Sequence, residues 1–184
     1  MSQPDSRNVE VKASLGTDEN FNRCIEIARK LCSSDGEVIR QHDVFFKATS
    51  GRLKLRFLQD TPSQLISYSR PDTEDAKLSC FKVLQVTEPE LLKTILAESV
   101  GIKGEVKKIR HLFWYNKTRI HLHKVENLGN FFELEVCLSS EQTVEEGTKI
   151  ANELVATFQI DPKDMIAGAY MDLLASKEDK KKPH

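Results

Sequence analysis

The chain has 184 residues, of which 39% are apolar and 30% charged, and a net charge of −1 at neutral pH. That is the size of one domain with a substantial core and the composition of an ordinary globular protein. It excludes a diffusely basic nucleic-acid surface, and no apolar run approaches the roughly 20 residues of a membrane-spanning helix. The cysteines Cys24, Cys32, Cys80 and Cys137 have neither paired nor metal-type spacing, and no signal-like segment precedes them. Reduced thiols and a cytoplasmic location are therefore expected.

Residues 1–7 are polar and read as a disordered N-terminus. Asn8–Ala13 alternates with period two, as a strand does. Thr17–Ser33 has helical spacing, with Phe21, Cys24, Ile25, Ala28, Leu31 and Cys32 on one stripe, Thr17 as cap and Gly36 beyond the end. Strand patterns return at Val38–Ala48, Arg52–Leu58, Leu65–Arg70 and Leu78–Gln85, punctuated by Gly51, Pro62 and Pro71-Asp72. A second helix, Glu88–Val100, has Pro89 in its first turn and Leu91, Leu92, Ile95 and Leu96 as its apolar face. Glu105–Tyr115, Arg119–Val125 and Phe131–Leu138 alternate again, with a turn at Gly129. A third helix covers Glu141–Phe158. A fourth is predicted from Asp161 as cap and Pro162 as first residue, burying Met165, Ile166, Ala169, Tyr170, Leu173 and Leu174. Residues 176–184 read as a disordered basic tail, which leaves 8–175 as a single domain. Many strands and few helices, without βαβ alternation, predict an antiparallel α+β fold.

What alternates is charge. Arg52, Lys54 and Arg56 share one strand face, with Leu53, Leu55 and Phe57 on the other. Asn8, Glu10 and Lys12 oppose Val9 and Val11, and Lys108 lies with Arg110. Arg119, His121 and His123 oppose Ile120 and Leu122, while Glu133 and Glu135 oppose Phe132, Leu134 and Val136. Two arrangements satisfy this pattern. An open sheet would turn its charged face to water. A closed sheet covered outside by the helices would turn it inward, and a lumen of Arg and Lys would suit several phosphates, with carboxylates holding Mg²⁺ or Mn²⁺ against them. Periodicity alone leaves both open.

These residues, in this order, resemble the CYTH family of triphosphate-tunnel proteins, which includes class IV adenylate cyclases and thiamine triphosphatases. The family's ExExK strand is matched by Asn8-Val9-Glu10-Val11-Lys12. RLKLR at Arg52–Arg56, the strand ending in Arg70-Pro71, the KxR of Lys108–Arg110 and TRIHLHKVENLGNFFELE at Thr118–Glu135 follow. The last stretch looks most like the class IV cyclase type, and the resemblance covers Asn8 to about Leu174.

The resemblance implies an eight-stranded antiparallel tunnel barrel with about four helices outside. Arg52, Lys54, Arg56, Arg70, Lys108, Arg110 and Arg119 would bind phosphate. Glu10, Glu133 and Glu135 would ligate Mg²⁺ or Mn²⁺, and Lys12 would orient groups or handle a proton. Two positions depart from the pattern: Asn8 stands where a Glu belongs, and His123 where the cyclase type has Asp. Both remove negative charge from the metal side. His121 and His123 read as hydrogen-bonded lumen residues rather than metal ligands. Asp43 and His42 read as structural or solvent-facing, Tyr68 as part of the barrel wall, and Phe113 and Trp114 as packed under a helix.

Three functions are therefore expected in turn. The first is metal-dependent hydrolysis or adenylate-cyclase-type cyclisation of a triphosphate (inorganic triphosphate, thiamine triphosphate or ATP). The second is binding of such a ligand with weak or no turnover. The third is RNA or protein binding on a basic open sheet; it is disfavoured because no aromatic ring interleaves Arg52, Lys54 and Arg56 for base stacking. The expected partner is a small triphosphate ligand, not a membrane and not nucleic acid.

Overall fold

A computed structural model describes residues 6–69 and 77–179. Eight strands form a closed antiparallel barrel. They are β1 (Ser6–Ser14), β2 (Glu37–Phe46), β3 (Arg52–Leu58), β4 (Ser63–Ser69), β5 (Lys77–Val86), β6 (Ile102–Tyr115), β7 (Thr118–Val125) and β8 (Gly129–Cys137). Their order around the barrel is β1-β5-β4-β3-β2-β6-β7-β8, so β8 closes back on β1. Closure leaves no sheet edge exposed and gives every strand an inside and an outside. The open-sheet alternative is thereby excluded.

The helices lie outside, as the alternation requires. Helix α1 (Asp18–Cys32) starts where predicted, with the Thr17 side chain accepting from the Asn20 amide at 3.2 Å. Helix α3 (Val144–Thr157) is fixed by a reciprocal capping box between Thr143 and Glu146. Together they cover the outer faces of β1, β7 and β8, burying Val9, Val11, Ile120, Leu122 and Leu134 against Phe21, Ala28, Leu154 and Phe158. Burial of these outward apolar faces is what obliges the alternate side chains to point into the lumen.

Helix α2 (Pro89–Ser99) covers β2 and β3 less completely. Leu92 and Leu96 pack on the cluster of Val44, Phe46, Leu55 and Val86. Leu91 and Ile95, read as part of the same apolar face, are 53% and 49% exposed, because one turn-spaced pair suffices to reach the barrel wall.

The C-terminal region departs most from expectation. Asp161 does cap a turn, but it is a single 3-10 turn at Pro162–Asp164. The chain then runs extended, and helix α4 spans Tyr170–Asp179. The predicted continuous helix is broken because Ile166 donates its amide to the Lys12 carbonyl at 2.9 Å and Met165 bridges Ala13. Gly168, at φ +82°, then takes a backbone conformation that an α-helix cannot contain. This segment lies beside the end of β1 beyond Glu10, where β1 is no longer paired with β5. A Cβ on Gly104 of β6 would meet the flexible end of the Met171 side chain, so Met171 packs closely over this glycine. The C-terminal segment thus closes one end of the barrel, placing Ala169 and Tyr170 in the lumen.

Candidate functional site

Strand register assembles the lumen. Across β1 and β8, Glu10 lies opposite Glu135 and Lys12 opposite Glu133. Across β7 and β8, Arg119 lies opposite Glu135 and His121 opposite Glu133. Across β2 and β3, Asp43 faces Arg56 and Phe45 faces Lys54, while β6 sets Lys108 opposite Gln41 and Arg110 opposite Ile39. A cavity of about 230 Å³ runs between these walls.

One wall is acidic. Glu10, Glu133 and Glu135 each offer a carboxylate oxygen, and the three oxygens lie within 4.8 Å of one another. Like charges this close and this buried require cationic neighbours. Lys12 Nζ lies 4.0 Å from Glu10 and 3.8 Å from Glu133, with the Gly168 carbonyl accepting from it at 3.4 Å and the Tyr170 ring centroid 4.2 Å away. Arg119 Nε reaches Glu135 at 2.7 Å. His121 Nε2 lies 3.2 Å from Glu135 and His123 Nε2 3.4 Å from Glu133, the two rings stacked at 5.5 Å. Burial pushes both carboxyls up, but Lys12 and His123 around Glu133, and His121 and Arg119 around Glu135, hold each well below the usual range. Burial, with Arg110 nearby, lowers His121 to about 4, so this imidazole is neutral at physiological pH.

The donor set fits a hard divalent cation. Three carboxylates converge, Glu10 and Glu133 buried and Glu135 half-buried, and the buried Asn8 Oδ1, which lines the same cavity, has no hydrogen-bond partner among the described residues. A neutral amide oxygen is an acceptable fourth ligand for Mg²⁺ or Mn²⁺, weaker than carboxylate. The two histidines stand beside the carboxylates and are not part of the convergent group.

The other wall is basic. Lys54, Arg56, Lys108 and Arg110 line the cavity, and Arg110 Nε is buried with no hydrogen-bond partner among the described residues. Within this wall lies an anion that the sequence reading assigned elsewhere. Asp43, predicted to be structural or solvent-facing, is 2% exposed and faces the lumen. Its carboxylate accepts from Arg56 Nε and Nη2 at 2.9 and 3.2 Å, from Gln41 at 2.9 Å, and pairs with Lys54 Nζ at 3.1 Å. Burial pushes Asp43 up, but Arg56 and Lys54 hold it well below the carboxylate range. Burial and the adjacent Arg56 lower Lys54 to about 8, against the pull of Asp43. The signal for Asp43 was present: it is in phase with Gln41 and Phe45 on the inward face.

A third flank is mainly apolar. Ile66 and Tyr68 of β4, with Phe81 and Val83 of β5, line the same cavity beside Gln64.

Residues 6–170 match the family model of the CYTH domain. The chain belongs to the CYTH domain family. A protein from Pyrococcus horikoshii superposes with a TM-score of 0.75 at 24% identity, covering 90% of this chain and 98% of its own. A candidate adenylate cyclase from Vibrio parahaemolyticus gives 0.71 at 18% identity, covering 94% and 99%. The Mimivirus capping-enzyme triphosphatase gives 0.57 at 12%, covering 83% and 89%. At these identities the likeness is one of fold. No curated protein matches the chain.

One of the predicted phosphate ligands of this CYTH barrel, Arg52, does not line the cavity, and another lies outside the described residues. Arg52 sits at the closed end, where Asp172 of α4 accepts from its Nη2 at 3.0 Å. Arg70 lies outside the described residues. Trp114, predicted to pack under a helix, is instead 53% exposed on the inward face of β6, with Arg119 over its ring at 5.8 Å. Phe113, on the opposite face, is buried as expected. Tyr170, whose hydroxyl donates to Glu133 at 3.1 Å, belongs to the site through a long-range contact that no local pattern signals. All four cysteines are free, and no helix of the described residues is long and apolar enough to cross a membrane.

Proposed function

We propose that this chain binds a triphosphate-bearing small molecule in its tunnel together with a divalent cation, and acts on it at phosphorus. The observation that carries the reading is the division of one buried cavity into three converging carboxylates and four facing cations. Neither wall is favourable alone, since each concentrates like charge away from water. A polyphosphate with a divalent cation neutralises both.

In this reading Lys54, Arg56, Lys108 and Arg110 hold phosphate oxygens, the arginines through paired N–H donors. Arg119, fixed by Glu135, reaches from the side. Glu10, Glu133 and Glu135, with Asn8 Oδ1, would hold Mg²⁺ or Mn²⁺, which supplies Lewis-acid stabilisation of charge on the transferring phosphoryl group. Lys12 pairs with Glu10 and Glu133 and presents its Nζ to the same space. His121 Nε2 and His123 Nε2 lie 3.2 and 3.4 Å from Glu135 and Glu133, where neighbours of metal ligands commonly sit. A water, or a ribose hydroxyl where the ligand carries one, completes a hydrolysis or a cyclisation.

The test is turnover of inorganic triphosphate, thiamine triphosphate and ATP by the purified chain, each with Mg²⁺ and with Mn²⁺, beside Glu133→Gln. Metal-dependent release of phosphate or pyrophosphate that this substitution removes is the expected result. A second reading, binding with little turnover, is favoured by Asn8 and His123, which leave the acidic wall with less negative charge than the family pattern. Tight binding without product would establish it. Absence of binding to all three ligands in both metals would sink both readings.

A further inference from the structure

The lumen is not charged all round, and its apolar flank is placed where a ligand must pass. We infer that Ile66, Phe81 and Val83 form a subsite for a flat, largely apolar ring attached to the triphosphate, so that the tunnel selects organic over inorganic triphosphate. This rests on the triphosphate reading above.

Four observations carry it. First, these side chains belong to none of the three apolar cores among the described residues, although Ile66 is only 7% exposed. They line the cavity with the charged groups and support no helix from inside. Second, register sets the strip beside the basic wall: Ile66 is the cross-strand partner of Lys54, and Gln64 of Arg56. Directly paired side chains lie about 5 Å apart, so a ring on the strip is within one bond network of phosphates held by β3. Third, the strip runs outward. Tyr68 pairs with Phe81 and Ile66 with Val83, and Val83 is 39% exposed at the end away from Tyr170. A ligand entering there would seat its phosphates deep and leave its other end along Phe81 and Val83.

The fourth is chemical. Inorganic triphosphate carries charged oxygens on every face, and an apolar wall can only strip water from them without return. A heteroaromatic ring gains from the same wall by dispersion and stacking on Phe81. Gln64, with both a donor and an acceptor, suits the polar edge of such a ring. Adenine and the thiamine rings share this chemistry, and the experiment separates them.

Binding of inorganic triphosphate, ATP and thiamine triphosphate is measured by calorimetry on the full chain with Ca²⁺, a hard cation of the same ligand preference, in place of Mg²⁺ or Mn²⁺, with product checked after each titration. The expected result is that at least one ring-bearing ligand binds about tenfold or more tightly than inorganic triphosphate, in the range that one stacked ring contributes. Phe81→Ser weakens that ligand by about tenfold and leaves inorganic triphosphate within about twofold. Val83→Ser, at an exposed position that folding tolerates, acts in the same direction and less strongly. On the unaltered protein, nuclear Overhauser contacts from ring protons to the Ile66 and Val83 methyls provide a readout that needs no variant. Whichever ligand shows both effects identifies the ring.

Equal loss for inorganic and organic ligands, or ring protons far from those methyls, overturns the inference. If inorganic triphosphate binds as tightly as either organic ligand, the subsite is refuted while the phosphate clamp stands. If nothing binds, the clamp itself fails and the subsite with it.

Discussion

The two charged walls of the tunnel solve the same electrostatic problem in different ways. The basic wall carries its own counter-anion: Asp43 occupies one edge of the Arg56 guanidinium and the Lys54 ammonium, and Gln41 completes its hydrogen bonding. The acidic wall has no such internal partner on its own strand face beyond Lys12. It borrows Arg119, His121 and His123 from β7, and burial pushes both imidazoles down, His121 to about 4. The difference teaches which half of the site is preformed. Asp43 offsets part of the basic wall's charge, whereas the acidic wall gains most from a cation.

The largest expected effect breaks the self-sufficiency of the basic wall. Asp43→Ala leaves two buried cations without their counter-charge and should cost about 3–5 kcal/mol of folding stability, read from denaturant midpoints. A loss below about 1 kcal/mol would mean the wall does not depend on Asp43. Next comes Arg110→Ala, which removes a buried guanidinium whose Nε has no hydrogen-bond partner among the described residues. It should weaken triphosphate binding by about 100-fold, the scale of two charge-assisted hydrogen bonds, with little change in stability.

The third prediction sharpens the contrast by pH. Lys54, lowered to about 8 by burial and Arg56, is charged below that pH in the free protein and neutral above it. Binding an anion favours the charged form, so above about pH 8 ligand uptake must be accompanied by proton uptake. Affinity should be insensitive to Lys54 below about pH 8 and fall above it, by up to about tenfold per pH unit. Lys54→Arg should flatten that limb, because guanidinium stays charged. A fall that persists unchanged in the variant would assign it to another group.

The smallest effect concerns the acidic wall. Asn8→Glu adds a carboxylate where an unpartnered amide oxygen now lies, and Mg²⁺ affinity measured without ligand should rise by about tenfold. Unchanged or weaker metal binding would show that Asn8 Oδ1 does not face the cation.

Much of this organisation was legible in the residues. Eight alternating segments became eight strands, and the charged faces of β1, β3, β6, β7 and β8 turned inward because the complementary faces had helices to bury against. What period two could not supply was everything set by contacts distant in sequence. Asp43 is in phase with the inward Gln41 and Phe45, but only its pairing with Arg56 and Lys54 of β3 shows that it is buried in the lumen. Arg52 shares the inward face of Lys54 and Arg56, yet Asp172, 120 residues later, engages it at the closed end. The helix predicted at Pro162 failed for the same reason: Met165 and Ile166 fit a helical pattern, but the stretch of β1 beyond its pairing with β5 engages their backbone. The apolar flank of β4 and β5 was hidden because Ile66, Phe81 and Val83 look like ordinary strand core until closure shows that they face the cavity.

The most direct test of the charged tunnel is a calorimetric titration of the full chain with inorganic triphosphate, with and without Mg²⁺, beside Arg110→Ala. The account predicts one ligand per chain, tighter binding with Mg²⁺ than without, and loss of most affinity in the variant. Absence of binding, or binding indifferent both to Mg²⁺ and to Arg110, would contradict it.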